Sequence, residues 1–152
     1  LEKTAFMTLP VGTAAPAFTA RDTNGNLVKL SDFAGKTLVL YFYPKDDTPG
    51  CTKEACSFRD SYSEFRNKDI AVLGVSRDDE ASHQKFTQKF NLPFPLLADT
   101  DGAITKAYDV EKGEKAKRVT YTIDAIGKIS QVYEGDNLNT ETHGPDILAA
   151  IH

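Results

Sequence analysis

The 152 residues contain only two cysteines, Cys51 and Cys56, too few for the disulfide framework of a small secreted protein, so a reducing compartment is expected. No apolar run approaches the roughly 18 residues that a membrane span requires, and no membrane association is expected. An excess of basic charge is also missing. The formal net charge is −4, and the densest basic cluster, Lys112 to Arg118, is flanked and interrupted by Glu111 and Glu114, which excludes a general phosphate-binding surface and with it nucleic acid. The three histidines, His83, His143 and His152, stand at no recognisable ligand spacing relative to the thiols, so no metal is expected and the histidines are expected on the surface. Leu1 to Phe6 carry neither an initiator Met nor the apolar core of a signal peptide. Leu1-Glu2 reads either as a cloning remnant or as the start left by processing.

Hydrophobic residues make up 40% and charged residues 26%, the balance of an ordinary globular protein of one domain, here residues 1–152 with 1–10 as a loose N-terminal arm. Two short alternating runs around Thr23-Asn24-Gly25 predict a β-hairpin, and residues 31–36 a helical turn stopped by Gly35. Residues 37–43 and 70–76 are apolar on both faces and rich in β-formers, the pattern of central strands covered on both sides. From Cys51, apolar residues recur at Ala55, Phe58, Tyr62 and Phe65, one helical stripe. Asp78 or Asp79 opens a helix closed by Asn91-Leu92-Pro93, residues 94–98 read as an edge strand, and Asp101-Gly102 opens a short helix. Residues 119–124 and 128–133 form a second hairpin, and the chain closes on a helix over 145–151. This alternation predicts an α/β protein: a mixed central sheet flanked by helices in a thioredoxin-like layout, with an extra N-terminal β-hairpin.

Chemistry is expected where the strand 37–43 gives way to the helix that begins near Cys51. A helix N-terminus brings about half a positive charge and unpaired N–H groups, both of which favour a thiolate. Thr48 and Pro49 suit the N-cap and first helical positions, although the Thr48 hydroxyl could equally face the sulfur or a substrate oxygen. In an intact helix, residues five apart lie roughly 8.6 Å from each other at Cα, beyond the ~7 Å that a disulfide tolerates. Cys51 and Cys56 can therefore be joined only if the helix unwinds locally, and the spacing is not the Cys-x-x-Cys of a disulfide exchanger. A thiolate that opens an O–O bond needs positive charge nearby. Arg118 is the best placed candidate, though spacing alone does not select it over Arg59, Arg66 or Arg77.

Pro44-x-x-x-Thr48-x-x-Cys51 resembles the active-site motif of the peroxiredoxins, and the run from Asp47 through Asp60 is similar to the subfamily called PrxQ or bacterioferritin comigratory protein. Gly12-x-x-Ala15-Pro16-x-Phe18, Leu30-Ser31-Asp32-Phe33-x-Gly35-Lys36, Leu92-Pro93-Phe94-x-Leu96-Leu97-Ala98-Asp99 and Arg118-Val119-Thr120-Tyr121-Thr122-Ile123-Asp124 extend the resemblance over nearly the whole chain. It implies that Cys51 is the peroxidatic cysteine, oxidised by hydrogen peroxide or an alkyl hydroperoxide to a sulfenic acid. It implies that Cys56 resolves this as an intramolecular disulfide, and that thioredoxin or a related dithiol reduces the disulfide again. Thr48 would bind thiolate and peroxide, Pro44 would shield the site, Arg118 would stabilise the thiolate and Glu54 would orient the arginine. A monomer without metal, haem or flavin is implied, in the cytoplasm or the plastid stroma. Residues 111–117 read as a short charged loop before Arg118, which departs from the family by lacking an apolar patch. A thioredoxin-fold disulfide reductase or thiol redox sensor is the competing reading.

Overall fold

The computed structural model describes residues 8–151. Residues 1–7 of the expected arm lie outside the described residues. Thr8 bonds Glu134 at 2.9 Å, and the Leu9 N–H donates to the Tyr121 hydroxyl at 3.1 Å. The expected N-terminal hairpin is present as β1 (Thr19–Arg21) and β2 (Leu27–Lys29), followed by a 3-10 turn over Leu30–Phe33.

Then come β3 (Thr37–Phe42), α1 (Pro49–Asp60), α2 (Tyr62–Asn67), β4 (Ile70–Ser76), α3 (Glu80–Phe90), β5 (Leu96–Ala98) and α4 (Ala103–Ala107). A small hairpin of β6 (Glu111–Lys112) and β7 (Lys115–Ala116), strands β8 (Val119–Ile123) and β9 (Ile129–Tyr133), and α5 (His143–Ala150) complete the described chain. The main sheet has five strands in the order β5-β4-β3-β8-β9. β3 runs parallel to β4 and antiparallel to β8, so the sheet is mixed, as the sequence predicts.

Period-two alternation along β3 splits the core into two layers. Leu38, Leu40 and Phe42 meet Phe18 and Val28 of the N-terminal hairpin, and Ile104 of α4. Val39, Tyr41 and Tyr43 meet Cys51, Ala55 and Phe58 of α1, Phe65 of α2, Phe86 of α3, and Ile147 and Leu148 of α5. β5 is the edge strand that its prolines announced. Thr23 of the N-terminal hairpin covers part of that edge, its hydroxyl accepting from the Leu96 N–H at 3.0 Å.

Three expectations fail locally. The stripe from Cys51 to Phe65 is divided between α1 and α2, which break at Ser61 (φ −103°, ψ 4°). The stripe survives because both helices cover the same face. The segment 111–117 forms the β6–β7 hairpin rather than a loop, turning at Gly113 (φ 62°). His83 and His143 are fully buried rather than on the surface, because each finds hydrogen-bond partners inside; His152 lies outside the described residues.

Candidate active site

β3 ends at Phe42, and the chain crosses Pro44 to Thr48 to enter α1 at Pro49. Thr48 occupies the N-cap with extended backbone (φ −102°, ψ 156°), and the first helical bond runs from the Thr52 N–H to the Thr48 carbonyl at 2.8 Å. The N–H groups of Gly50 and Cys51 therefore lie outside the helical ladder, as first-turn donors do. The expected side-chain cap is absent. The Thr48 hydroxyl turns back and donates to the Lys45 carbonyl at 2.9 Å, which closes the loop on itself.

Cys51 is 1% exposed. Arg118 stands immediately before β8, one residue past the Phe42–Val119 pair, at the sheet end from which the Pro44 loop departs. Its guanidinium forks: Nη2 donates to Cys51 Sγ at 3.2 Å, and Nη1 donates to Glu54 Oε1 at 2.7 Å. Glu54 follows Cys51 by three residues on α1, so both groups face the arginine from one side of the helix. Gly50 makes the approach possible, since a Cβ there would meet Arg118 Nη2 at 3.0 Å. Among the arginines left open by spacing, Arg59 instead bonds Asp60 and the Phe90 carbonyl, and Arg77 bonds the Thr100 carbonyl.

Behind the arginine the side chains are buried. Glu54 is fully buried, and burial raises its pKa to about 7 against the opposing pull of Arg118. Burial alone would lower the Arg118 pKa, but Glu54 and Cys51 reverse this and raise it. His143, at the start of α5, bonds the Thr120 hydroxyl at 2.8 Å and lies 3.8 Å from Glu54 Oε2. Burial lowers its pKa to about 4, Asp146 opposing and Arg118 assisting. The sequence signals neither this histidine nor Gly50 as part of the site, since their roles depend on contacts between distant segments.

Cys56 lies on the same helix as Cys51, half-buried, and both thiols are free. Burial raises the Cys56 pKa, with Arg59 opposing and Asp60 assisting. Pro44 and Arg118 border a cleft of about 570 Å3 whose far wall is the β6–β7 hairpin and Glu134. A more apolar hollow of about 360 Å3, lined by Phe18, Leu38 and Ile123, lies at the opposite end of β3 from Cys51.

Asp46, Asp78 and His83 bring possible metal ligands within 4.8 Å of one another. Their oxygens are engaged as hydrogen-bond acceptors: Asp46 Oδ2 faces Ser82 Oγ and His83 Nδ1, and Asp78 Oδ2 takes Ser76 Oγ and the Asp46 N–H. That donor set is satisfied by protein groups and does not call for an ion.

A thioredoxin-like fold with a reduced cysteine in the first turn of a helix, held by a forked arginine, defines a thiol-based oxidoreductase. The AhpC/TSA family profile matches residues 11–132. A putative peroxiredoxin bcp of Coxiella burnetii is 46% identical over 135 residues, spanning 84% of this chain and 89% of that protein. The chloroplastic peroxiredoxin Q of Oryza sativa subsp. japonica is 47% identical over 143 residues, covering 92% of this chain but 65% of that longer protein. Among solved structures, a mutant PrxQ of Xylella fastidiosa superposes with a TM-score of 0.87 at 30% identity, covering 95% of this chain and 96% of that one. The bacterioferritin comigratory protein of Xanthomonas campestris, studied for alkyl peroxide reduction, gives 0.81 at 34% identity and 88% coverage of both chains. The chain belongs to the AhpC/TSA family, among the peroxiredoxins of the Bcp and PrxQ kind, and is a thiol peroxidase.

Proposed function

We propose that Cys51 is the peroxidatic cysteine of a single-domain, monomeric peroxiredoxin that reduces hydrogen peroxide and alkyl hydroperoxides. The Cys51 thiolate attacks one oxygen of ROOH, the O–O bond breaks, and with one proton the products are a Cys51 sulfenic acid and ROH. The fork of Arg118 between Cys51 Sγ and Glu54 carries this reading. It places a fixed cation where both the thiolate and the departing oxygen are negative. When peroxide binds, the Thr48 hydroxyl exchanges the Lys45 carbonyl for the peroxide, Pro44 limits water at the mouth of the cleft, and Glu54 orients the arginine.

The Cys56 thiol then attacks the sulfenic sulfur, releasing water and forming the Cys51–Cys56 disulfide. Both residues lie within the unbroken helix α1, so this step requires local unwinding. Thioredoxin or a related dithiol returns the disulfide to two thiols and is itself oxidised. The bacterial and chloroplastic relatives favour cytoplasm or plastid stroma as the compartment. The competing reading, a protein disulfide reductase, is disfavoured by the burial of Cys51, which keeps the dithiol from a bulky disulfide substrate.

The decisive test is the intact mass of the reduced protein after one equivalent of hydrogen peroxide without added thiol. A loss of two hydrogens in a single chain, abolished in Cys56→Ser, is the expected result. An unchanged mass in the wild-type protein would overturn the proposal.

A further inference from the structure

Asp46 is the buried member of the loop that carries Pro44 and Thr48. The Tyr43 hydroxyl donates to its Oδ1 at 2.5 Å, Ser82 Oγ donates to its Oδ2 at 2.8 Å, and its own N–H donates to Asp78 Oδ2 at 2.8 Å. The fourth contact is from α3, where His83 Nδ1 lies 2.7 Å from Asp46 Oδ2. The other ring nitrogen, Nε2, lies 2.9 Å from the Leu97 carbonyl of β5. The histidine thus bridges the loop to the edge strand from a fully buried position.

A carbonyl oxygen only accepts, so Nε2 carries a hydrogen. At 2.7 Å, Nδ1 and the carboxylate oxygen also share one. The Tyr43 and Ser82 hydroxyls already donate to the two Asp46 oxygens, which therefore act as acceptors. With acceptors opposite both ring nitrogens, the hydrogen-bond geometry points to a ring that donates at Nδ1 and at Nε2. The ionisable groups around the pair are Tyr43, just past β3, and Asp78 beyond β4; Ser82 of α3 and the Leu97 carbonyl complete the shell.

We propose that His83, as an imidazolium, is a positioning residue for the peroxide step, fixing Asp46 and through it the Pro44–Thr48 loop that meets the hydroperoxide. This rests on the roles proposed for Pro44 and Thr48. Loss of the ring proton would set two acceptors against each other, either at Asp46 or at Leu97, and loosen the loop by removing the contact that bridges it to β5. The thiolate itself is held by Arg118, immediately before β8, which this tether does not touch. Loop geometry and thiolate stabilisation are therefore separable by experiment.

The first arm of the test is nitrogen-15 NMR of the imidazoles in the reduced full-length protein at neutral pH. Protons on both His83 nitrogens are expected; a single protonated nitrogen would overturn the proposal. The second arm measures oxidation of Cys51 by hydrogen peroxide and its ultraviolet thiolate absorbance in His83→Gln, Asp46→Asn and the double variant. Each single variant is expected to lose roughly tenfold in peroxide rate with thiolate absorbance retained. The double variant should fall little further, as expected of coupled groups.

Unchanged rates in folded variants would overturn the proposal, as would a parallel loss of thiolate. Should His83→Gln fail to fold, the NMR arm on the wild-type protein decides. A wild-type protein inert to peroxide would instead sink the peroxidase reading, while a reactive wild type with unaffected variants would sink only the role of His83.

Discussion

Glu54 Oε2 and His143 Nε2 face each other at 3.8 Å in the interior, on opposite sides of the seam between α1 and α5. Among the described residues, neither Glu54 Oε2 nor His143 Nδ1 has a hydrogen-bond partner. An acid is pushed up and a base pushed down by the same burial, so both groups are held toward their neutral forms.

That pairing has opposite consequences for stability and pH. Glu54, raised from 4.5 to about 7, binds a proton in the folded state that the unfolded chain has released, so its contribution is complete below pH 4.5 and is lost as pH rises toward 7. His143, lowered from 6.5 to about 4, is deprotonated when folded while the unfolded chain is still charged, so its contribution grows as pH rises from 4 to 6.5. The slopes, each about 1.4 kcal/mol per pH unit, offset each other where the windows overlap. Urea unfolding across pH 4.5 to 6.5 is expected to give a flat contribution from this pair in the wild-type protein. Glu54→Gln should show stability rising with pH over this interval, and His143→Gln should show it falling. Identical pH dependence in the two variants would refute the assignment.

Replacing Arg118 tests the fork directly. Arg118→Ala is expected to slow Cys51 oxidation by roughly 10²–10³-fold, the scale of a lost transition-state donor. Arg118→Lys restores charge but cannot reach Sγ and Glu54 as a planar pair, so its rate should fall between the two. Stopped-flow kinetics with hydrogen peroxide would read this; a lysine variant as fast as wild type would count against the fork geometry.

Gly144 braces α1 from α5. Its N–H donates to Ser57 Oγ at 2.9 Å, and a Cβ at this position would meet the Ser57 carbonyl oxygen at 2.6 Å. Backbone cannot yield as a flexible side chain does, so Gly144→Ala should destabilise the protein by about 1–3 kcal/mol. With α1 less firmly held, disulfide formation after peroxide should accelerate, measured by acid quench and intact mass. A slower disulfide step would argue that α5 has no such bracing role.

Oxidation should also be visible as lost order. Hydrogen exchange of the disulfide form is expected to show reduced amide protection over residues 49–58 relative to the reduced form. Equal protection in both forms would exclude unwinding of α1 as the route to the disulfide.

The mixed sheet was legible because residues 37–43 and 70–76 are apolar on both faces, and Pro93 and Pro95 confine the next strand to an edge. Cys51 was legible because Pro49 and Thr48 mark a helix start. Arg118 was not separable from other arginines by spacing, since its approach depends on the register of β8 against β3 and on the missing side chain of Gly50. The buried histidines were misread because burial of a polar ring is decided by partners far away in sequence, Asp46 and Leu97 for His83, and Thr120 for His143. The break at Ser61 left no mark, because the hydrophobic period continues through it.

Cys51 and Glu54 share one helix, whereas Arg118 is anchored beside β8, which is buried along its whole length. Unwinding the first turns of α1 would withdraw the sulfur and the carboxylate together and leave the guanidinium behind on rigid backbone. The disulfide form would then display an unpartnered cation at the mouth of the cleft that the dithiol form keeps hydrogen-bonded to Cys51 and Glu54. An incoming reductant would thus meet a different electrostatic landscape in each redox state, with an acidic approach surface drawn preferentially to the form that has work for it.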